Sequence, residues 1–394
     1  MRSLAWTMTV LALGAICSCS GGSSTKVLYA VGNSPDVTIF AVSGSGIAAV
    51  DSVSTGSGPD AMGIDPGHRF AYIANAANGI GPGTVSQYLV SSKSGLLTPA
   101  TFSSVGGNTG VAVPIETGTN PTAITVNNAG TFVFVANQGS DSISAFMIDQ
   151  IGGTLMEVKF APPPPVPVPP NCVLNNPEPC PLSIAPASPT GLASSGSMLF
   201  VATSTAGAGA VSTYNFDLTT GLVATPPVST TAVGLNPSVM IMDLSSKFLF
   251  LIDSSASEVA VVSIGSSGQL TPVGAPVATG PTPLSVAINP SGTFLYTANL
   301  GSTVGNSNCV NGGVSGFSVD GSGNLTPLTG SPFAVGPCPS SVTTDSSGGL
   351  LFVGNGNPNN TISLFSIGSS GALKQIGSAF PSIVVNPIAL ASIN

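Results

Sequence analysis

The sequence of 394 residues contains very few charged side chains. Only 6% of its residues are Asp, Glu, Lys or Arg, and the basic residues number 7 against 15 acidic ones. A nucleic-acid-binding protein neutralises several phosphates with Lys and Arg, so the shortage of bases excludes nucleic acid as a partner. Anionic membrane surfaces attract clusters of basic residues, and the same shortage argues against binding to them.

Histidine and tryptophan are almost absent. The one His is His68 and the one Trp is Trp6. A single His, placed in a tight turn, cannot supply a Ser-His-Asp or Cys-His arrangement for nucleophilic catalysis. Few aromatic platforms remain for stacking sugar rings, because Trp6 lies at the N-terminus in an apolar segment.

No apolar run is long enough to span a bilayer. The run from Leu4 to Ile16 has 13 residues, whereas a membrane-spanning helix needs about 20. Arg2 precedes this run, and Ile16-Cys17-Ser18-Cys19 follows it in a pattern similar to a bacterial lipobox. We therefore predict a lipoprotein signal peptide over residues 1–18, lipidation of Cys19 and a flexible tether over 19–25.

This prediction gives the cellular location. The chain should be exported and anchored in the cell envelope, on the periplasmic or the outer surface, with membrane contact only through the lipid. The alternative is ordinary cleavage and secretion as a free protein. In either case the chain reaches an oxidising compartment, where disulfides form.

The residues that are abundant indicate many short strands joined by turns. The sequence has 49 Gly and 34 Pro, and 42% of its residues are hydrophobic. A unit consisting of Pro, an apolar strand, a turn with Gly and a second strand ending near Asn recurs along the chain, for example in "PLSVAINPSGTFLYTANLGS" from Pro283. The unit starts at Pro59, Pro121, Pro189, Pro237, Pro283, Pro339 and Pro387.

The repeat spacing predicts a propeller. The starts are separated by 62, 68, 48, 46, 56 and 48 residues, which fits a base period of about 47 with insertions and a four-stranded blade. The seventh unit is cut short at the C-terminus, and its missing strands stand at Lys26. We therefore predict an all-β, seven-bladed β-propeller over residues 26–394, closed by pairing of the C-terminal strand with the N-terminal blade.

Two patterns carry a family resemblance. The stretches "FVANQGSDSISAF" and "GNLTPLTGSPFAV" resemble the YVTN-type, lactonase-like seven-bladed propellers, relatives of 6-phosphogluconolactonase and of fungal muconate cycloisomerase. The resemblance implies the same fold and, in the enzymes of the family, a catalytic set of His, Arg and Glu at the upper channel. This sequence departs from that set, because His68 and Arg69 fall in a turn on the opposite face.

The connecting loops differ in length between the two faces of the predicted ring. First-to-second and third-to-fourth strand turns are all short, and we name their side the short-turn face. The other connections carry the insertions, including the Pro-rich run 161–188, and form the long-loop face. Because function is grafted onto variable loops, we assign binding to the long-loop face. Tolerated drift of surface loops is the alternative explanation.

Four cysteines remain after Cys19. The simplest of three pairings joins Cys172 with Cys180 and Cys309 with Cys338, each disulfide stapling a long loop. A zinc site is disfavoured, since His68 lies on the other face.

The remaining polar candidates have mostly structural interpretations. Carboxylates are the only candidate catalysts of the long-loop face, and as an alternative they could hold Ca²⁺ or another divalent metal. We expect the Asn series at the strand ends to bond backbone, and Tyr29, Tyr72 and Tyr296 to be core residues. The candidate acids are Asp36, Asp60, Glu116, Asp141, Glu178 and Glu258.

Two functional hypotheses follow. The first is a binding or scaffold module without chemistry, a monomer that takes a neutral or cationic small molecule or protein at the long-loop face and needs no cofactor. The second is a lactonase-type hydrolase that uses the long-loop carboxylates, with or without a divalent metal. No sequence spacing singles out the catalytic pair that the second hypothesis requires.

Overall fold

A computed structural model describes residues 26–79, 81–103, 109–159, 182–183, 188–205, 209–233, 236–304, 308–356, 358–382 and 385–393. The predicted signal peptide and tether, Cys172, Cys180 and Glu178 lie outside these residues. Seven antiparallel sheets of four strand positions each are arranged as the blades of a ring. In the part of the chain described, no helix is both long and apolar enough to cross a membrane.

The innermost strand of each blade follows one of the repeated prolines. Together these strands surround a central channel. For blades 2 to 7 and then blade 1 they are Pro59–Ile64, Pro121–Val126, Pro189–Ser195, Val239–Met242, Pro283–Ile288, Pro339–Thr344 and Ala389–Ile393.

The second and third strands form the buried body of each blade. The second strands, from blade 1 to blade 7, are Val27–Val31, Phe70–Asn75, Phe132–Asn137, Met198–Thr203, Phe248–Asp253, Phe294–Asn299 and Leu350–Asn355. The third strands are Asp36–Ser43, Pro82–Val90, Ser142–Ile148, Ala210–Asn215, Glu258–Ile264, Gly313–Val319 and Thr361–Ile367.

The outer strands are short and often interrupted. They are Gly46–Ser54; Leu97–Pro99 with Ile115–Thr119; Leu155–Glu157 with Leu182–Ser183; Ser229–Ala232; Leu270–Pro272 with Val277–Ala278; Leu325–Pro327; and Leu373–Gln375 with Phe380–Pro381. Two small hairpins, Thr101–Ser103 with Thr109–Val111 and Ser302–Val304 with Asn308–Val310, and the 3₁₀ turns Ala77–Gly79 and Gln138–Ser140 complete the described elements.

Two insertions that the sequence pattern placed in loops of the long-loop face fall instead within outer strands. Leu155–Glu157 and Leu182–Ser183 both pair with Ser142–Ile148, so the Pro-rich insertion 161–188 interrupts the outer strand of blade 3 and is not purely a loop. The insertion around Thr101 likewise falls within the outer strand of blade 2, where its backbone lies against Gly152. Sequence alone could not detect this, because outer-strand halves of two or three residues carry no periodic signal.

The second strands are buried on both sides because each blade packs between two neighbours. All six residues of Phe132–Asn137 are buried. Phe132 and Phe134 join a cluster with blade 4, whereas Val133 and Val135 join a cluster with blade 2. A strand that is buried on both faces has a continuous apolar sequence, so the second strand gives the clearest sequence signal in each repeat.

Tyrosine hydroxyls tie neighbouring blades together. Tyr29 donates a hydrogen bond to the carbonyl of Gly95 at 2.6 Å, and Tyr72 to that of Gly153 at 2.9 Å. Tyr296 donates in the same way to a turn of the next blade. All three side chains are fully buried, and burial raises the pKa of each hydroxyl above its usual value. Their expected place in the core is confirmed.

The ring closes as the truncated seventh repeat predicts. Val27 pairs with Ile393 and Val31 with Ala389, which makes the C-terminal strand the innermost strand of blade 1. On the short-turn face the ammonium of Lys26 donates to the carboxylate of Asp345 at 2.7 Å, linking the first blade to the last. Burial favours a higher pKa for Asp345, but Lys26, Ser347 and the Leu350 amide outweigh it, and the pKa lies below its usual value.

Deletion of residues 387–394 should open the ring. The loss of one full strand leaves the inner edge of Val27–Val31 unpaired, although its pairing with Asp36–Ser43 remains, at a cost of about 3 kcal/mol or more in the free energy of unfolding. Chemical denaturation and light scattering measure the loss of stability and the association of open edges. Lys26→Met is the control and should cost about 1 kcal/mol or less, because the ammonium of Lys26 is partly exposed and the buried carboxylate of Asp345 keeps its bonds from Ser347 and the Leu350 amide. A deletion variant as stable and monomeric as the control would contradict ring closure.

Candidate functional site

The central channel is the cavity to which all seven blades contribute. Its volume is about 780 Å³, and its walls are the innermost strands. At the long-loop end, the residue that follows each repeated proline lines the channel and forms a ring, which we name the mouth ring. Its members are Asp60, Thr122, Thr190, Ser238, Leu284, Ser340 and Ile388.

Three of the four hydroxyl groups in the mouth ring join neighbouring blades, whereas that of Ser238 donates to the Ile252 carbonyl in its own blade. Thr122 donates to the carbonyl of Pro189 at 3.2 Å, and Thr190 donates to that of Pro237 at 2.6 Å. In each case the acceptor is the proline that begins the next blade, and Ser340 donates to Pro387 at 2.6 Å in the same way. These hydroxyls are therefore structural, and the sequence repeats them for that reason.

Asp60 is the exception in the mouth ring. It is the one ionisable side chain among the described residues that line the channel. No described residue donates a hydrogen bond to its carboxylate or forms an ion pair with it, in contrast to Asp65 and Asp243, which accept bonds from turn amides. Burial raises the pKa of Asp60 from 3.8 to about 6, because a desolvated carboxylate favours its neutral form.

Two amide side chains at the mouth were not predicted. Gln138 follows the second strand of blade 3, and Asn386 precedes the innermost strand of blade 1, so they belong to the blades on either side of Asp60. Gln138 is held by Asn120 and Ser188, each at 3.3 Å. Alignment of the repeats at the positions just after the Asn and just before the Pro would have identified both residues.

Below the mouth ring the channel becomes apolar. Its walls there include the side chains of Met62, Ile124, Leu192, Met240 and Val342. An uncharged molecule can therefore enter with its polar groups at the mouth and meet a carboxylate there.

The other candidate acids are not brought together with Asp60. Asp36 accepts a bond from Ser54 at 3.2 Å, and Asp141 accepts one from the backbone amide of Ser188 at 2.7 Å. Glu116 is exposed and lines a groove between the outer strands of blades 2 and 3, while Glu258 begins a third strand. None of these four lines the channel. In the described ranges, no three His, Cys, Asp or Glu side chains cluster as a metal site would require.

The Asn series is structural, as expected, although its partners differ. Asn75 donates to the hydroxyl of Ser86 at 3.1 Å, and Asn355 donates to that of Ser363 at 3.0 Å. The bonds reach the neighbouring third strand as well as backbone carbonyls. The sequence pattern also counts Asn33 as the strand-end residue of blade 1, but Asn33 is exposed and lies beyond the end of its strand at Val31, so it is not at the equivalent position.

One disulfide reinforces the long-loop face. Cys309 and Cys338 are bonded, with their Cα atoms 5.2 Å apart, as the simplest pairing from the sequence predicts. Cys338 immediately precedes Pro339 and the mouth-ring residue Ser340. The disulfide therefore joins a loop of blade 6 to the entry of blade 7 beside the mouth.

Comparison with known proteins agrees with this geometry. The family model "Lactonase, 7-bladed beta-propeller" matches residues 111–174 and 198–305. No curated protein matches the sequence. A candidate 6-phosphogluconolactonase from Bacteroides fragilis is 17% identical with a TM-score of 0.70, over 96% of this chain and 100% of its own. The periplasmic gluconolactonase PpgL of Pseudomonas aeruginosa is 20% identical with a TM-score of 0.67, over 94% of this chain and 99% of its own.

The ring of seven four-stranded blades defines the class as a β-propeller. Over residues 111–174 and 198–305 the chain is similar, more narrowly, to the lactonase-like seven-bladed β-propellers.

Replacing Asp60 with Asn should stabilise the protein. A carboxyl whose pKa is raised in the fold costs stability once it ionises, so the cost begins above pH 4 and is complete above pH 6. Asp60→Asn should raise the free energy of unfolding by about 1–2 kcal/mol at pH 7, a figure reduced for partial exposure, and by almost nothing at pH 3. Urea denaturation at both pH values measures the difference. Asp36→Asn is the matched control and should show no gain, and equal gains in the two variants would mean that Asp60 is not desolvated.

Proposed function

We propose that this protein is a lactonase-type hydrolase that opens uncharged lactones at the mouth of its channel, with Asp60 as the general base. The observation that carries the proposal is the isolated carboxylate of Asp60, desolvated and without a bonding partner among the described residues, in a ring of neutral side chains. Structural ion pairs also shift pKa values, but Asp60 has no such pair, and strongly shifted groups without one are typical of functional sites.

Ester hydrolysis requires the steps that this arrangement can provide. Asp60 removes a proton from a water molecule as its oxygen attacks the lactone carbonyl, and the carbonyl oxygen becomes an oxyanion. Collapse of the tetrahedral intermediate breaks the bond to the ring oxygen, which takes the proton back from Asp60 to give the hydroxy acid. A base with a pKa of about 6 is largely ionised near neutral pH and can still return the proton.

The oxyanion needs hydrogen-bond donors at the same mouth. The side-chain amides of Gln138 and Asn386 are candidates, because both line the channel in the blades next to Asp60. Preorganised neutral donors of this kind stabilise developing negative charge in a site that excludes water. In this proposal the two amides take the role of the His and Arg side chains that the resemblance to lactonases implies.

The charge of the channel favours an uncharged substrate. No Lys, Arg or His is among the described residues that line it, so a phosphate group would meet one carboxylate and no cation. The two structural neighbours are described by their names as acting on a phosphorylated and on an unphosphorylated gluconolactone. The second of these substrates suits this channel better.

A calcium-dependent reaction does not fit the residues present. Ca²⁺ takes six to eight oxygen ligands, usually with several carboxylates, and the channel offers one. The proposed reaction therefore uses no metal ion.

Export and lipid anchoring at Cys19 are part of the proposal. The disulfide between Cys309 and Cys338 supports an oxidising compartment. The lipobox-like tetrad supports anchoring, and cleavage without lipidation remains the alternative.

A second candidate is a binding module without catalysis. The observation that favours it is the absence of His, Arg and Glu from the described channel lining. The same mouth would then hold a neutral or cationic ligand against Asp60 and leave it unchanged.

Lactone turnover distinguishes the two candidates. Purified protein should hydrolyse uncharged five- and six-membered lactones faster than phosphorylated ones, with or without EDTA. Asp60→Asn should lower kcat by about 10²–10⁴-fold, the usual contribution of a general base. Below pH 6 the wild-type rate should fall as the base becomes protonated.

Asp36→Asn is the matched control, since Asp36 lies on the same face outside the channel and should leave kcat unchanged. A ligand that binds without turnover, and whose affinity depends on Asp60, would support the binding module. Turnover that survives in Asp60→Asn would overturn the assignment of the base.

A further inference from the structure

Three aliphatic side chains project from the short-turn face. Ile151 is 91% exposed, Leu244 is 75% exposed and Leu218 is 55% exposed. Each lies in a tight turn, in the segments Asp149–Gly153, Asp217–Gly221 and Asp243–Lys247 of blades 3, 4 and 5. Three consecutive blades thus present an apolar side chain to the same side of the ring.

The turns do not need these side chains for their own structure. Each is held by its aspartate, whose carboxylate accepts backbone amide bonds from Gly152, Thr220 or Phe248. The equivalent turns of other blades use small or polar residues, as in "NPSG" and "GSSG". One exposed aliphatic side chain would need no explanation, but three of them in consecutive blades give this face apolar points at which it can contact something outside the chain.

The chain leaves the ring on the same face. Lys26 precedes the strand Val27–Val31 and bonds Asp345, which lies in a short turn of blade 7. Cys19, the predicted lipidation site, is seven residue steps before Lys26, a distance of roughly 25 Å at most. A lipid attached there would hold a bilayer next to the short-turn face.

We propose that the short-turn face rests on a lipid bilayer of uncharged headgroups, with Ile151, Leu218 and Leu244 inserted at the interface and the channel mouth directed away from it. The sequence alone led us to expect membrane contact only through the lipid. The exposed turn residues add a second contact, which fixes the orientation of the ring. The lipid would hold the chain at the bilayer, and the turn residues would set which face of the ring meets it.

The charges of the protein decide the kind of lipid. The net charge is −8, and an aspartate lies in each of the three turns. Of the bases on this face, Lys26 and Arg69 are paired with Asp345 and Asp65, which leaves Lys93 and Lys247 against Asp149, Asp217, Asp243 and Asp320. The amides of Thr220 and Thr219 hold the pKa of Asp217 below its usual value, so this carboxylate stays ionised at a neutral bilayer surface. Anionic headgroups would be repelled, and zwitterionic ones would not.

A single-tryptophan reporter tests the orientation directly. The chain from Lys26 to Asn394 contains every strand of the closed ring and no Trp, because the one Trp is Trp6. This chain carries an N-terminal His tag and is bound to phosphatidylcholine vesicles with a few nickel-chelating lipids, which reproduces a tether at Lys26. Leu244→Trp reports the short-turn face, and Val310→Trp, at a site 43% exposed on the long-loop face, is the matched control.

The expected result is a blue shift of the Leu244→Trp emission and its quenching by brominated lipid, with neither effect for Val310→Trp. Quenching of Val310→Trp, or of neither reporter, would overturn the proposal.

Binding without the tether gives an independent measurement. The triple variant Ile151→Ser, Leu218→Ser and Leu244→Ser should lower the partition coefficient of the chain onto phosphatidylcholine roughly a hundredfold, because three aliphatic groups no longer enter the interface. Val310→Ser with Val385→Ser, both exposed and far from the short turns, should leave it unchanged. Added anionic lipid should weaken wild-type binding.

A second copy of the chain is the competing occupant. If sedimentation shows a dimer that the triple variant dissociates, while vesicle binding is the same for both proteins, the proposal is wrong. Lactone turnover is not used in any of these measurements, so their outcome is independent of the proposed hydrolase activity.

Discussion

The pairing of Val27–Val31 with Ala389–Ile393 is the contact on which the remaining structure depends. It completes blade 1 from the two ends of the ring, so that each of the seven blades has an innermost strand at the channel. Every second strand can then be buried between two neighbouring blades, and the hydroxyls of Thr122, Thr190 and Ser340 can meet the proline of the next one. The channel exists only because this closure fixes the radius of the ring.

The fold could be predicted from the sequence because the repeated residues have local structural roles. The prolines begin strands, the turns need Gly, and Tyr72 or Phe134 fills the same interblade space in successive repeats. Interrupted outer strands escaped detection, since Leu182–Ser183 is too short to carry a pattern. The disulfide between Cys309 and Cys338 was predicted because both cysteines fall in loops of one face.

The candidate site was much harder to predict than the fold. Asp60, Asp36 and Glu258 look alike in the sequence, and only the ring geometry separates the one that faces the channel from those that do not. Desolvation is a property of the assembled mouth, so the shifted pKa of Asp60 has no local sequence signal. Gln138 and Asn386 could have been identified only by comparing repeats position by position. An unpaired carboxylate that costs stability at neutral pH is typical of a site shaped by function and not by folding.

The shared first blade also constrains the order of synthesis. The strand Val27–Val31 is made before the other strands of the ring, and its inner partner Ala389–Ile393 is made after them. Until residues 389–393 have been made, only the edge that pairs with Asp36–Ser43 can be covered, and the inner edge stays available to pair with other chains. A cell making this protein therefore has to shield one open strand edge while the remaining blades are synthesised.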